Sequence, residues 1–319
     1  MTKTLVVAIV LAMQTSSPMF RFEADGFWLN LHHFLYVLSR AQARTADSKR
    51  TAVLAAPGDQ DEGLKRLSEE ERKVWADAVT FYMNGPGKMD ATFDPPLIDI
   101  TNAMRVPPQA SSSALKIDPA LRATLESAAP IYRRVWWPRQ QQANNARVRE
   151  LARQLEEYGE KVRAYLTRAY KLDWPSGGLM VNVSGYANWA GAYSTPRGNL
   201  IVISSLDPQV KGYLGLESIF HEAMHQWDDA MIARLSRLSK ENQTAPPRPG
   251  ITHALIWYTS AAAIKSVIPN HVGYAESLDM WKTEPIVNFK AGIDTYWKPY
   301  LDGKLTLDEA LIGVLKSQP

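Results

Sequence analysis

The sequence contains no cysteine. This absence excludes disulfide frameworks, zinc sites built on thiolates and cysteine nucleophiles together. It leaves histidine and carboxylate side chains as the strong metal ligands available to the chain. It does not fix the cellular compartment, because proteins without cysteine occur in reducing and oxidising surroundings alike.

An excess of charge of one sign is also missing. The 36 basic residues are spread among 33 acidic ones, and the net charge is +3. Proteins that bind nucleic acid carry clustered Lys and Arg on one face, and this sequence has no such stripe. We therefore expect no nucleic-acid partner. A length of 319 residues with 45% hydrophobic content is that of an ordinary globular chain with one large domain or two smaller ones.

Long hydrophobic runs are missing after the N-terminus, where no stretch reaches about eighteen apolar residues. We expect no stable membrane span after signal removal. Lys3 precedes the uncharged run LVVAIVLAM and the polar stretch QTSSP, a pattern that predicts a signal peptide over residues 1 to 20 and a secreted or periplasmic protein. Pro18 follows the best small-residue pair and makes the cleavage site poor, so an uncleaved anchor is the alternative.

The chemistry of the sequence is concentrated in the stretch ESIFHEAMHQW at residues 217 to 227. Positions i and i+4 of an α-helix lie above one another, so His221 and His225 can bind one metal ion while Glu222 projects beside them. Apolar residues surround these three, which predicts a helix buried under a sheet with one edge open to a cleft. The alternative is a buried helix whose histidines only hydrogen-bond to neighbours.

This HExxH stretch resembles the active-site helix of the zincin metallopeptidases. In that family both histidines bind zinc and the glutamate is the general base, so the resemblance implies a Zn²⁺ cofactor and a peptide or protein substrate. The similarity covers about residues 179 to 275. The metzincin extension is excluded, because it needs Gly and His where this chain has Asp228 and Met231. A gluzincin-like arrangement, with the third ligand on a later helix, remains.

The third zinc ligand is not given by the motif. Gluzincins take a glutamate from a downstream helix, yet residues 254 to 266 contain no acidic residue. His253 stands in the first turn of that helix, with 27 residues between it and His225, and a neutral imidazole binds zinc as well as a carboxylate does. We predict His253 as the third ligand. Glu276 is the alternative, because it preserves the gluzincin ligand type.

Three further residues are candidates to donate a hydrogen bond to the oxyanion that develops during hydrolysis, namely Tyr258, Tyr274 and His271. Each is alternatively a packing residue. Two aspartates follow the motif by one helical turn, Asp228 and Asp229. Either one can orient the second histidine of the motif through a hydrogen bond, or both can belong to a solvated helix face.

The hydrophobic periods predict an α+β fold that is mostly helical, with a small sheet just before the HExxH helix. The resemblance implies that the fold is zincin-like, with this sheet over the HExxH helix. Residues 21 to 174 are expected to form a helical N-terminal region, and residues 175 to 319 a zincin-like metal-binding region. Strand periods occur in LMVNVS, ANWAGAYS and LIVISS. The resemblance implies an edge strand to which an extended substrate pairs, and the second of these stretches, interrupted by Gly191, is the better candidate for it, with a plain hairpin as the alternative.

Two features of the N-terminal region are given structural interpretations. His32 and His33 are adjacent on a predicted helix and point about 100° apart, so we expect packing or local hydrogen bonds and no shared metal. Residues 86 to 117 contain five prolines and are expected to form a long connection.

The expected function is zinc-dependent peptide-bond hydrolysis by an exported protein, with metal-activated water and Glu222 as the general base. The alternative is a non-catalytic zincin-fold binding protein of the cell envelope. Glu222 favours the enzyme, because a protein that only binds has no need of that carboxylate. A closed structural zinc site is disfavoured, because such sites use four protein ligands and rely on cysteine.

Overall fold

The computed structural model describes six stretches of the chain, and the predicted signal peptide lies outside them up to residue 18. Within these stretches, no helix combines the length and the apolar content needed to cross a bilayer. Helices surround one small sheet, so the fold is α+β as predicted. The described stretches are residues 19 to 45, 62 to 92, 94 to 188, 190 to 195, 200 to 283 and 285 to 318.

The sheet has four strands in the order β1, β2, β4, β3. Strands β1, β2 and β4 are parallel, and β3 is antiparallel to β4. The three strands predicted before the motif are present, and the one that follows Gly191 is an edge strand as expected. The bounds are Phe20–Glu23 for β1, Leu179–Ser184 for β2, Ala192–Thr195 for β3 and Leu200–Ser204 for β4.

Strand β1 was not predicted. Its four residues alternate between apolar and charged side chains over too short a length to stand out, and Phe20 was assigned to the signal peptide. The strand is defined by its tertiary partner, because Phe20 lies opposite Leu179 of β2. The N-terminal region therefore shares a sheet with the region that carries the motif.

The helices begin and end where local signals place them. Ser68 and Glu71 form a reciprocal capping box at the start of α2, and Asp118 accepts hydrogen bonds from two backbone amides at the start of α4. The bounds are α1 Phe27–Thr45, α2 Glu69–Asn84, α3 Pro95–Ala103, α4 Pro119–Val135, α5 Trp137–Gln154, α6 Glu160–Tyr170, α7 Tyr213–Met224, α8 Asp228–Glu241, α9 Ile251–Lys265, α10 Tyr274–Ser277, α11 Lys290–Gly292, α12 Lys298–Leu301 and α13 Leu307–Ser317.

One prediction about the N-terminal region was wrong. The stretch from residue 86 to residue 117 is not a plain connection, because it contains α3, with Pro95 and Pro96 in its first turn. Proline is tolerated there, since the missing N–H would have no helical partner and the fixed φ suits a helix start. The prolines that indicated a loop in the sequence therefore stand at the start of a helix.

The expectation that His32 and His33 pack or form hydrogen bonds was confirmed. His32 Nδ1 lies 2.9 Å from the hydroxyl of Tyr82, and His33 Nε2 lies 2.6 Å from that of Tyr193. Both histidines are buried. They therefore form hydrogen bonds within the core.

The motif helix is shorter than its sequence suggests. Helix α7 ends at Met224, residues His225–Trp227 form a 3-10 turn, and α8 begins at Asp228. Short 3-10 turns inside helical stretches often mark functional positions. His221 and Glu222 thus lie in regular helix, whereas His225 lies at a junction between two helices.

The two faces of the sheet contact different helices. Side chains alternate along a strand, so Ile201 and Ile203 of β4 face one hydrophobic core while Leu200 and Val202 face the other. The first core contains α7, α9 and α13, and the second contains α1, α2 and α4. The motif helix is therefore held between the sheet and α9.

Candidate metal centre

Three histidines from two neighbouring helices and the junction between α7 and α8 converge at one place. His221 comes from α7, His225 from the 3-10 turn and His253 from the first turn of α9. One ring nitrogen of each lies within 4.8 Å of those of the other two. Within the described ranges, no other group of His, Cys, Asp and Glu has this arrangement. Helix α9 begins after Gly250, which adopts a left-handed φ of 91°.

The spacing and charge state of these nitrogens fit a zinc ion. His221 Nε2 and His253 Nε2 are 3.1 Å apart, and two nitrogens bound tetrahedrally to one zinc would be about 3.3 Å apart. Burial lowers the pKa of His221 well below its usual value, and neighbouring histidines add to this. Burial also lowers the pKa of His253 to about 3. Both rings are therefore neutral, which is the form that binds a metal.

The third histidine is oriented by a carboxylate. His225 Nδ1 lies 2.7 Å from Asp228 Oδ2, which leaves Nε2 available to a metal. Burial lowers the pKa of His225, but the hydrogen bond with Asp228 and the charges of Glu222 and Asp228 outweigh burial, and the net shift is upward. The structure thus decides between the two aspartates, since Asp229 is exposed.

We expect Asp228→Ala to weaken zinc binding by about 10 to 100-fold, the usual effect of losing a residue that orients a ligand. Asp229→Ala, one position further on, is the matched control and should bind zinc like the wild type. Competition with a chromophoric chelator measures both affinities. Equal affinities for the two variants would show that His225 does not need the Asp228 contact.

Glu222 lies beside the histidines with its side chain largely buried. Burial raises the pKa of this carboxyl group, while the charge of His225 and hydrogen bonds from Ser194 oppose the shift. A carboxylate with a raised pKa is suited to accept a proton near neutral pH. The position next to the ligands and the raised pKa are both those of a general base.

The edge strand β3 lies next to this carboxylate. The carbonyl of Gly191 accepts a hydrogen bond from the amide of Ser204 at 2.7 Å, and residues of antiparallel strands alternate in direction. The backbone of Ser194 is therefore directed away from β4, on the side of β3 that has no neighbouring strand. Its amide and hydroxyl are the groups that hydrogen-bond to Glu222.

A cavity of about 40 Å³ connects the histidines, Glu222 and β3. This volume exceeds the 10 to 15 Å³ or so that one water molecule requires. Thr92 of the N-terminal region also lines it, so the cavity lies where the two predicted regions meet. Its other lining residues are Asn188, Ala190, Ala192, Tyr193, Ser218, His221, Glu222, His225, His253, Trp257 and Tyr274.

Tyr274 is the predicted oxyanion donor that reaches this cavity. Its hydroxyl donates to the carbonyl of Ala190 at 2.6 Å and lies 3.3 Å from Gln209 Oε1. Burial raises the pKa of the phenol, so the hydroxyl keeps its proton at neutral pH. Tyr274 is thus placed and protonated as a hydrogen-bond donor must be.

The other predicted residues lie away from the cavity. Tyr258 packs its ring edge against Trp281. His271 Nε2 lies 2.5 Å from the buried carboxylate of Glu217, and Glu276 accepts hydrogen bonds from Lys265 at 2.9 and 3.1 Å. The geometry therefore groups His253, and not Glu276, with the two histidines of the motif.

Comparison with known proteins identifies no relative. No protein-family profile matches the chain, and neither curated proteins nor solved structures give a significant match. The function is therefore inferred from the chemistry of the site and not from the fold.

One residue at the site was missed from the sequence. Trp257 lines the cavity, and the centroid of its ring lies 3.7 Å from that of His221. It follows His253 by four positions, so the two share a face of α9. That spacing was the available signal, and it indicates Trp257 in preference to Tyr258, which is turned by about 100°.

Proposed function

We propose that this protein is a zinc-dependent peptidase with a zincin-like site in a gluzincin-like arrangement, in which the third ligand comes from a later helix. The observation that carries the proposal is the convergence of nitrogens from His221, His225 and His253 within 4.8 Å, beside the carboxylate of Glu222. Three histidines leave one coordination position open, which is the pattern of catalytic zinc sites and not of structural ones. A zinc ion bound there would polarise the scissile carbonyl and lower the pKa of a water molecule to about 7.

The chain's own residues take the remaining roles. Glu222 accepts the proton of the attacking water and passes it to the leaving amine, because its raised pKa keeps it a competent base and then a competent acid. The hydroxyl of Tyr274, which donates a hydrogen bond to the carbonyl of Ala190 in the structure, turns to donate to the developing oxyanion instead. Asp228 holds His225 in the tautomer that leaves Nε2 for the metal.

The position of β3 supports a peptide as the substrate. An extended peptide that adds to a sheet edge is held by main-chain hydrogen bonds, without a requirement for particular side chains. Strand β3 is an edge strand, and Ser194 directs its backbone outward beside Glu222. A peptide aligned there has its backbone next to the proposed general base. Export to the periplasm or the medium is proposed from the sequence of residues 1 to 20 alone.

The proposal predicts that the purified protein contains about one zinc ion per chain. Removal of the ion by a chelator should abolish hydrolysis of a mixed peptide library, and added Zn²⁺ should restore it, because the three histidines fit zinc. Elemental analysis measures the zinc content, and mass spectrometry of the peptides measures their hydrolysis. A protein that holds zinc and cleaves no peptide would instead be the non-catalytic binding protein.

A further inference from the structure

The histidines of the motif are held in different ways. His225 has a hydrogen bond between Nδ1 and Asp228. His221 Nδ1 is buried and has no hydrogen-bond partner in the described part of the chain. Metal-binding histidines almost always donate a hydrogen bond from the N–H of their second ring nitrogen to a carboxylate, a carbonyl or water. Among the described residues, no hydrogen bond to Nδ1 orients the ring of His221 as Asp228 orients that of His225.

A column of aromatic rings lies against His221. The ring centroid of Trp257 is 3.7 Å from that of His221 on one side, and 4.8 Å from that of Tyr274 on the other, with the Trp257 and Tyr274 planes only 9° apart. Trp257 Nε1 is also buried, and the described residues offer it no hydrogen-bond partner. Packing between rings is thus the contact that holds His221 in place.

The outer ring of this column is fixed by a buried carboxylate. Both oxygens of Glu217 lie 3.1 Å from the amide of Tyr274, and His271 Nε2 lies 2.5 Å from Oε2. Glu217 is fully buried and precedes His221 by one turn of α7. Burial of a carboxylate costs free energy unless it has such partners. Removal of Glu217 or of its partners leaves buried polar groups without hydrogen bonds. The link between Glu217 and Tyr274 is therefore rigid.

Close packing adds to this rigidity. A Cβ added at Gly273 would lie 2.7 Å from that of Ala261 on α9. The segment that carries Tyr274 is thus pressed onto α9, the helix that also carries Trp257.

We propose that Glu217 and His271 are positioning residues of the metal centre. They hold Tyr274 against Trp257, and Trp257 in turn holds the imidazole of His221 in the orientation that binds the metal. Ring packing thereby replaces, for His221, the hydrogen bond that Asp228 accepts from His225. This inference rests on the zinc centre proposed above, but it requires no particular reaction.

Zinc affinity tests the column. Glu217→Ala, Trp257→Leu and Tyr274→Leu should each weaken binding by about 10 to 100-fold, the range for residues that orient a ligand. Tyr274→Phe keeps the stacked ring and should bind zinc like the wild type. Thr259→Val is the control for general destabilisation, since Thr259 lies on α9 and accepts a hydrogen bond from the indole of Trp297, outside the column. It should lower the melting temperature without changing zinc affinity.

A second measurement needs neither metal nor activity. In the metal-free protein, the ring current of Trp257 should shift the imidazole protons of His221 upfield in the proton NMR spectrum. The shift should persist in Tyr274→Phe and Thr259→Val and disappear in Glu217→Ala. If Glu217→Ala does not fold, Glu217→Gln replaces it, because it keeps an acceptor for the amide of Tyr274, and about a tenfold loss of affinity is expected.

Two outcomes separate this inference from the proposed function. If a Glu217 variant showed the wild-type shift of the His221 protons and the wild-type zinc affinity, the positioning role of Glu217 would be overturned. A wild-type protein that binds zinc and cleaves no peptide would overturn the peptidase, while both measurements on the column would still apply.

Discussion

Glu222→Gln is expected to keep its zinc and to hydrolyse peptides about 10² to 10⁴-fold more slowly than the wild type. Glutamine has nearly the same shape as glutamate but cannot accept the proton of water. The carboxylate is not among the three groups that converge as ligands, so the metal should stay. Zinc content by elemental analysis and initial rates on one peptide measure the two effects.

Glu241→Gln is the matched control for this variant. Glu241 is an exposed carboxylate at the end of α8 that pairs with Arg237, and its amide variant should hydrolyse the peptide at the wild-type rate. A Glu222→Gln protein as active as the wild type would exclude the assigned base. A variant that loses zinc as well would show that Glu222 belongs to the ligand set.

His253→Ala is expected to lose zinc affinity by far more than the 10 to 100-fold or so that is typical of residues around the ligands. Its Nε2 lies 3.1 Å from that of His221, within the group of three histidines. Loss of the imidazole leaves two protein ligands, fewer than catalytic zinc sites use. Titration against a chelator of known affinity measures the change.

Glu276→Ala tests the rival ligand in the same experiment. Glu276 bonds to Lys265 in the structure, so this variant should bind zinc like the wild type. The reverse result, with zinc lost in Glu276→Ala and retained in His253→Ala, would restore the gluzincin ligand type and remove His253 from the centre.

The sequence predicted the features that depend on near neighbours. Ser68 and Glu71, which form the capping box of α2, lie within one helical turn, so their spacing is visible in the sequence. His221 and His225 are four positions apart, so their shared face also follows from local geometry. Such patterns need no knowledge of the rest of the fold.

Features that depend on the exact course of a helix, or on contacts between distant residues, could not be predicted from the sequence. The choice between Asp228 and Asp229 depends on the 3-10 turn at His225–Trp227, which changes the phase of the helix. Both lie within reach of His225 in an unbroken α-helix. The pairing of Glu217 with His271 likewise joins segments that no local pattern connects, which is why His271 was taken for a catalytic candidate.

The pairing of β1 with β2 has a consequence for the order in which the chain folds. Glu23 and Asn182, opposite each other in these strands and hydrogen-bonded, are 159 positions apart. Contacts of such long range form slowly, because a long loop must close before the pairing stabilises it. During synthesis the first strand therefore emerges well before its partner, and the sheet that supports the motif helix remains incomplete. The sheet against which the motif helix packs is therefore completed only after Leu179–Ser184 has been synthesised and has paired with β1.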